Sequence, residues 1–291
     1  MITVFTPTFN RKNELNRLYT SLNNQTFTDF ELLIVDDGST DGTEEYVAEL
    51  QKEDARIYYY KQINSGKHVA FNKGINEANG DAFICVDSDD RLISEALEKI
   101  NSIYEKYMDR DDICGFVFQK GVDINNPLYK HFKGDEFIED YIKYINNGNF
   151  KGDKCEVFIT RILKKYRFPV FKNEKFMAEG FMWSKIGKQY KYVFVDTVIY
   201  LCEYLDNGLT KQGRKLRINN PLGGMNHASE FLDKCFNIKV RQKNALLYLT
   251  YARFASLSIG KIILNSKYKI LLCINVIPSL ILKYTWKKKY L

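Results

Sequence analysis

Asp87-Ser88-Asp89-Asp90 follows directly on the apolar run Ala82-Phe83-Ile84-Cys85-Val86, so three carboxylates stand where a strand-like segment ends. In an open α/β sheet, ligands bind beyond the carboxyl ends of the strands, and carboxylates there can hold Mg2+ or Mn2+ against a substrate's phosphates. Three further segments put small, polar or acidic residues at similar junctions: Thr6-Pro7-Thr8-Phe9-Asn10-Arg11, Val35-Asp36-Asp37-Gly38-Ser39-Thr40-Asp41, and Asn64-Ser65-Gly66-Lys67 running on to Asn72-Lys73-Gly74-Ile75. Such residues allow a nucleotide to approach closely, and a carboxylate can accept a uracil-like N–H or ribose hydroxyls. A single Asp-Asp-Gly-Ser would read as a helix cap and turn, whereas four such junctions in order are much more specific. Lys67 and His68 fall where the third loop passes the expected nucleotide, and Lys67 offers a cation to uracil or diphosphate. Asp90 has two open readings, N-cap of the next helix or member of the metal shell. His131 and His227 have no partner at metal-ligand spacing, so no histidine metal cluster is expected.

The elements that must position these residues alternate. Residues 2–6, 30–35, 56–61 and 81–86 read as strands, and 13–23, 42–51 and 67–78 as helices; Leu15, Leu18 and Leu22 give the first helix its apolar face. This rhythm predicts a mostly parallel sheet covered on both faces. A helix over 94–107 and a strand over 113–119 follow. Segments 154–159 and 192–203 are expected to be strands flanking a helix near 180–190, and the aromatic, Asn- and Gly-rich stretch 121–152 defies assignment by pattern.

The 291 residues, 45% of them hydrophobic, suffice for a substantial core. Six scattered cysteines without a C-x-x-C pair, and no cationic apolar leader before residue 2, lead to the expectation of a cytoplasmic protein with reduced thiols. The net charge of +7 hides a division: residues 216–291 hold 13 Lys and Arg against 2 Asp and Glu, leaving the first 215 residues net acidic. Acidic body and basic tail together argue against a nucleic-acid partner and for an anionic surface such as a membrane. The apolar run at 270–282 contains Pro278 and is shorter than the ~18 residues of a membrane span.

The motifs P-T-F-N-R, V-D-D-G-S-T-D, N-K-G-I-N-E-A-N-G-D and D-S-D-D resemble the nucleotide-sugar half of family-2 glycosyltransferases of the bacterial cell-surface polysaccharide type. The resemblance is strong over residues 1–100, weaker to about 212 and absent from the tail. It implies a glycosyltransferase A fold, Rossmann-like with helices on both faces of the central sheet, plus a carboxyl-terminal helical extension. The implied division is a catalytic domain over 1–215 (nucleotide-sugar half 1–100, acceptor half 101–215) and a basic, apolar extension over 216–291. By the same resemblance Thr6, Pro7 and Asn10 line the nucleoside pocket and Asp37, with Asp36 beside it, faces uracil; Lys67, Asn72 and Ser88, at the same junctions, are further candidate donor contacts. Asp87 and Asp89 form the D-x-D element for Mn2+ or Mg2+, with Asp89 on the metal and Asp87 reaching the ribose or a metal-bound water.

An inverting transfer needs a base for the acceptor hydroxyl. Met177-Ala178-Glu179-Gly180-Phe181-Met182-Trp183 resembles the family's Glu-Asp element with Gly180 in place of Asp. Glu179 is then the candidate base, Asp196 and Glu203 are reserves, and Trp183 is the candidate platform for the acceptor sugar. The stretch 209–215, with Lys211 and Arg214, resembles the loop that closes over the diphosphate in related enzymes. Expected partners are a UDP-sugar and a glycan or lipid-linked saccharide, with peripheral membrane contact through 230–291, a place at the inner face of the cell membrane, and self-association left open. A nucleotidyltransferase lacks support from any Gly-rich basic phosphate loop near the amino terminus, whereas a noncatalytic nucleotide- or glycan-binding subunit has Gly180 in its favour.

Overall fold

The structure, a computed structural model, describes residues 1–148, 150, 152–202 and 209–291. In chain order the elements are β1 (Ile2–Thr8), α1 (Lys12–Asn23), β2 (Phe30–Asp36), α2 (Thr43–Glu53), β3 (Ile57–Lys61), α3 (Lys67–Glu77), β4 (Ala82–Cys85), β5 (Arg91–Leu92), α4 (Ala96–Tyr107), β6 (Ile113–Asp123), β7 (Asn126–Pro127) and β8 (Glu136–Asp140). After a π-helical turn, Ile142–Asn147, come β9 (Cys155–Ile159), α5 (Thr160–Leu163), α6 (Gly180–Gly187) and β10 (Lys191–Leu201). The helices α7 (Leu209–Asn219), α8 (Pro221–Glu230), α9 (Ile238–Phe254), α10 (Ile259–Asn265), α11 (Lys269–Ile274) and α12 (Val276–Tyr290) complete the described chain.

One sheet runs β3-β2-β1-β4-β9-β6-β10-β5, with β7 on β6 and β8 on β10. Its nucleotide half, β3-β2-β1-β4, is parallel as the alternating pattern predicts. β1 and β2 are buried along their whole length, as befits strands covered on both faces. Beyond β4 the sheet is mixed, because β9 runs antiparallel to both β4 and β6. That reversal sets the amino-terminal end of β9 beside the carboxyl ends of β4 and β6.

Local sequence explains the helices nearest these ends. Leu15, Leu18 and Leu22 of α1 are buried. Phe71 of α3 packs edge-on against Phe5 at 5.1 Å, so α3 is seated on β1 by aromatic contact. Gly66 precedes α3 at φ +97°, and a Cβ there would lie 1.9 Å from the Lys175 carbonyl oxygen, so only glycine allows that approach. The helical carboxyl-terminal extension predicted for 216–291 is helical in the structure, and α8 is fastened to the body: Glu174 accepts the N–H groups of Leu222 and Gly223, each at 2.7 Å, and Asn220 Oδ1 accepts those of Lys175 and Phe176 at 2.7 and 3.1 Å. All six cysteines are free thiols.

Candidate active site

The first two junctions are stitched to each other. The Asn10 N–H donates to Ser39 Oγ and the Thr40 N–H to Asn10 Oδ1, both at 2.8 Å, with Asn10 in the left-handed region at φ 52°. Thr6 and Pro7 are buried in β1, Thr6 Oγ1 has no hydrogen-bond partner, and Asn10 is exposed. Asp36 does not face a ligand: it is fully buried, accepting from the Ser39 N–H at 2.7 Å and the Tyr59 hydroxyl at 2.6 Å. Asp37 accepts from the N–H groups of Ser65 and Gly66 and from the Gln62 amide, each at 2.7 Å, and so fixes the loop that leads to Lys67.

Lys67 joins the two halves of the site. Its ammonium lies 2.6 Å from Asp87 Oδ1 and 2.6 Å from Glu179 Oε1, so these two oxygens stand no further apart than two such contacts. Burial alone would push the Lys67 pKa down, but Asp87 and Glu179 outweigh it and hold the ammonium charged. Burial likewise would raise Asp87, and Lys67 and Lys120 overcome it and keep the carboxylate ionised. Asp89 is pushed up by burial and by the charge on Asp87, with Arg11 Nη1 3.4 Å from its Oδ2. Ser88 is buried between the two acids.

This donor set fits a divalent ion. Mg2+ and Mn2+ accept one or two protein carboxylates and complete their shell with water and substrate phosphates. Asp87 and Asp89 supply that pair from one turn, where burial and then the charge on Asp87 raise Asp89. Among the described residues no cluster of three or more acidic, His or Cys side chains would hold a metal without such help.

Several expectations are corrected. Asp90 caps no helix, since β5 intervenes and α4 begins at Ala96; it instead accepts the Tyr200 hydroxyl at 2.7 Å. Asn72 exchanges hydrogen bonds with the backbone of Phe168, both at 2.8 Å, which commits its amide to fastening α3 to the segment that follows α5. Trp183 is 7% exposed and packs on Phe158 at 4.6 Å, so no free ring face remains for a sugar. Asp196 serves structure, binding Gln119, the Phe132 N–H and His131. Arg214 is bound against the extension: it donates to the Tyr251 hydroxyl at 3.2 Å and lies 4.4 Å over the Trp286 ring. Glu203 and the Lys211 side chain lie outside the described residues.

Four residues at the site escape sequence reasoning. Tyr200 of β10 accepts the Asp87 N–H at 3.0 Å while donating to Asp90, which locks the acidic turn. Lys120 of β6 stands 3.9 Å over the Tyr200 ring, kept charged against its burial by Asp87. Glu156 of β9 accepts the Tyr141 hydroxyl at 2.9 Å. Charged residues inside otherwise apolar strands were the available signal for Lys120 and Glu156. His227 of α8 packs beneath the acceptor turn, its Nε2 3.4 Å from where a Gly180 Cβ would be. Burial, with Arg217 and Lys243 nearby, pushes its pKa down to about 3, so this ring is neutral.

Burial raises Glu156 from an ordinary 4.5 to about 7. The folded protein therefore binds this proton more tightly than the unfolded chain, and the stability so gained is complete below pH 4.5 and lost as pH rises through 7. Glu156→Gln keeps an acceptor for Tyr141 and removes the titration. Urea unfolding is expected to show the wild type losing up to about 3 kcal/mol relative to the variant between pH 4.5 and 8. Parallel stability curves would refute the buried, raised carboxyl.

Comparison with known proteins finds glycosyltransferases. The chain is 32% identical over 195 residues to the GalNAc(5)-diNAcBac-PP-undecaprenol beta-1,3-glucosyltransferase of Campylobacter jejuni, covering 65% of this chain and 60% of that one. It is 27% identical over 279 residues to the abequosyltransferase RfbV of Salmonella typhimurium, covering 85% and 80%. The fold matches that of S. aureus TarS 1–349 in complex with UDP-GlcNAc at TM-score 0.61 and 19% identity, over 91% of this chain and 76% of that one. The chain spans from a fifth to three fifths of the length of the first curated relatives it matches. Residues 3–172 match the model of glycosyl transferase family 2, a span that holds Asp37, Asp87 and Asp89 and ends before Glu179. With more than half of its residues inside that match, the chain belongs to glycosyl transferase family 2.

Proposed function

We propose that the chain is an inverting, metal-dependent hexosyltransferase that moves a sugar from a UDP-sugar to a hydroxyl of a glycan or lipid-linked saccharide during cell-surface polysaccharide assembly. Residues 1–100 would serve the nucleotide sugar, 101–215 the acceptor, and 216–291 would form the extension. The observation that carries this reading is the meeting of Asp87 and Glu179 on Lys67, with Asp89 on the same turn as Asp87 and held by Arg11. Support also comes from the TarS complex with UDP-GlcNAc, from the undecaprenol-linked substrate in the Campylobacter relative's name, and from a structural neighbour, a Pyrobaculum calidifontis mannosyltransferase bound to GDP-Man and Mn2+.

Asp89, with Asp87, would hold Mn2+ or Mg2+, which when bound would supply positive charge to stabilise the negative charge that builds on departing UDP. Glu179 would take the acceptor hydroxyl proton as its oxygen bonds to the anomeric carbon from the face opposite the diphosphate. The anomeric carbon–oxygen bond then breaks and its electron pair leaves with UDP. Lys67, already beside Asp87, would offer its charge to the same phosphates. We place this work in the cytoplasm at the inner face of the cell membrane, where a lipid-linked acceptor would be presented.

The test is UDP release by the full chain with Mn2+, an acceptor extract and a panel of UDP-sugars, preceded by a thermal-shift screen in which the right donor raises the melting temperature above that given by UDP. Gly180 in place of an acid favours one rival, a noncatalytic nucleotide-binding subunit. Tight UDP binding with no turnover across the panel would select that rival, and pyrophosphate release in place of UDP would indicate nucleotidyl transfer.

A further inference from the structure

The last two helices are amphipathic in reverse. Ile270, Ile274, Ile277, Leu280, Ile281 and Tyr284 are each 55% to 80% exposed. Their spacing lays one apolar stripe along α11 and α12, which meet at Asn275. The inward side of the same helices carries the buried polar residues Asn275 and Ser279, which bond to Gln242 at 3.3 Å and Arg253 at 3.0 Å in α9. A helix that met only water would turn its polar residues outward. Exposed lysines bracket the stripe, Lys269 at one end and Lys287, Lys288 and Lys289 at the other. A contiguous apolar surface with a charged rim marks an interaction site.

We propose that this stripe is a docking face for an anionic lipid bilayer, lying in the plane of the interface with the lysines against the headgroups. Charge selects the occupant. A second copy docked through the same face would bring the lysine clusters together, and the two acids of residues 216–291 are already engaged, Glu230 with Lys188 at 2.5 Å and Asp233 with the Tyr268 hydroxyl at 3.3 Å. A bilayer rich in anionic lipid takes up both the apolar stripe and the lysines. Among the described residues no helix is long and apolar enough to cross a membrane, which accords with in-plane binding. The purpose of the face rests on the proposed lipid-linked acceptor, but lipid binding and sugar transfer are read separately.

The full chain is sedimented with phosphatidylcholine vesicles with and without phosphatidylglycerol, while UDP release is followed in the absence of vesicles. The wild type is expected to pellet with phosphatidylglycerol vesicles and to be released by high salt. Ile277→Asp with Ile281→Asp is expected to weaken partitioning at least about tenfold. Changing Lys287, Lys288 and Lys289 to Gln is expected to weaken it about 100-fold, with UDP release unchanged in both variants. As a readout free of substitutions, phosphatidylglycerol vesicles should protect the exposed thiol of Cys273, beside Ile274, from maleimide while the exposed Cys235 keeps reacting. Three results would overturn the proposal: no pelleting of the wild type, equal pelleting of the aspartate variant, or a wild-type dimer without vesicle binding that the aspartate variant dissociates. Failed vesicle binding with intact UDP release removes the docking face alone, whereas vesicle binding without turnover on any donor removes the transferase reading alone.

Discussion

Glu179→Gln is expected to lower kcat about 10³-fold while the donor KM changes little, because the amide keeps the shape of the side chain and cannot accept a proton. Among the described residues, neither the adjacent position nor the reserve Asp196 can substitute. Position 180 has no side chain, and Asp196 is committed to Gln119, Phe132 and His131. Lys67 would keep Asp87 as its partner, so the donor end of the site should remain in order. The measurement is kcat and KM from UDP release on the best donor. A kcat within a few-fold of wild type would remove Glu179 from the role and make Glu156, with its pKa of about 7, the next carboxylate to replace.

Asp89→Ala should lower kcat by about 10² to 10³ and shift the Mn2+ concentration for half activity upward by a similar factor. The effect is electrostatic. Asp87 and Asp89 carry like charges in a half-buried turn, and removing one leaves a single carboxylate to share a divalent ion with the diphosphate. Arg11 would then lose its contact with Asp89 and could approach the phosphates, which limits the loss in donor affinity. The check is a Mn2+ titration of UDP release with both proteins. An unaltered titration and full activity would show that the acid turn does not serve a metal. Chain stability should change little, since the Asp89 side chain is about a quarter exposed and Arg11, which meets it, also meets Glu14.

Much of the nucleotide half can be read from local pattern. The apolar runs that become β1, β2 and β4 end at Asn10, at Asp36-Asp37 and at Asp87-Asp89, and the helical spacing of Leu15, Leu18 and Leu22 matches the buried face of α1. Such patterns are encoded within a few residues, because strands expose their ends and helices their periodicity whatever lies elsewhere in the chain. Roles that depend on which atoms are already bonded could not be read in this way. Asp36 and Asn72 carry suitable side chains, yet both are consumed by partners within the fold, Asp36 by Ser39 and Tyr59 and Asn72 by Phe168.

Local residue patterns place the acids at the strand ends and carry the βα alternation of the first hundred residues and the basic, helical character of the tail. What surrounds those acids depends on long-range packing. Antiparallel β9 carries Glu156 to the end of β4, β6 and β10 bring Lys120 and Tyr200, and α8 sets His227 under Gly180. Lys67 and Glu179 meet across 112 positions of sequence for the same reason. Strand order and helix docking are fixed by the packing of distant apolar surfaces, and no local pattern of residues specifies which strands become neighbours.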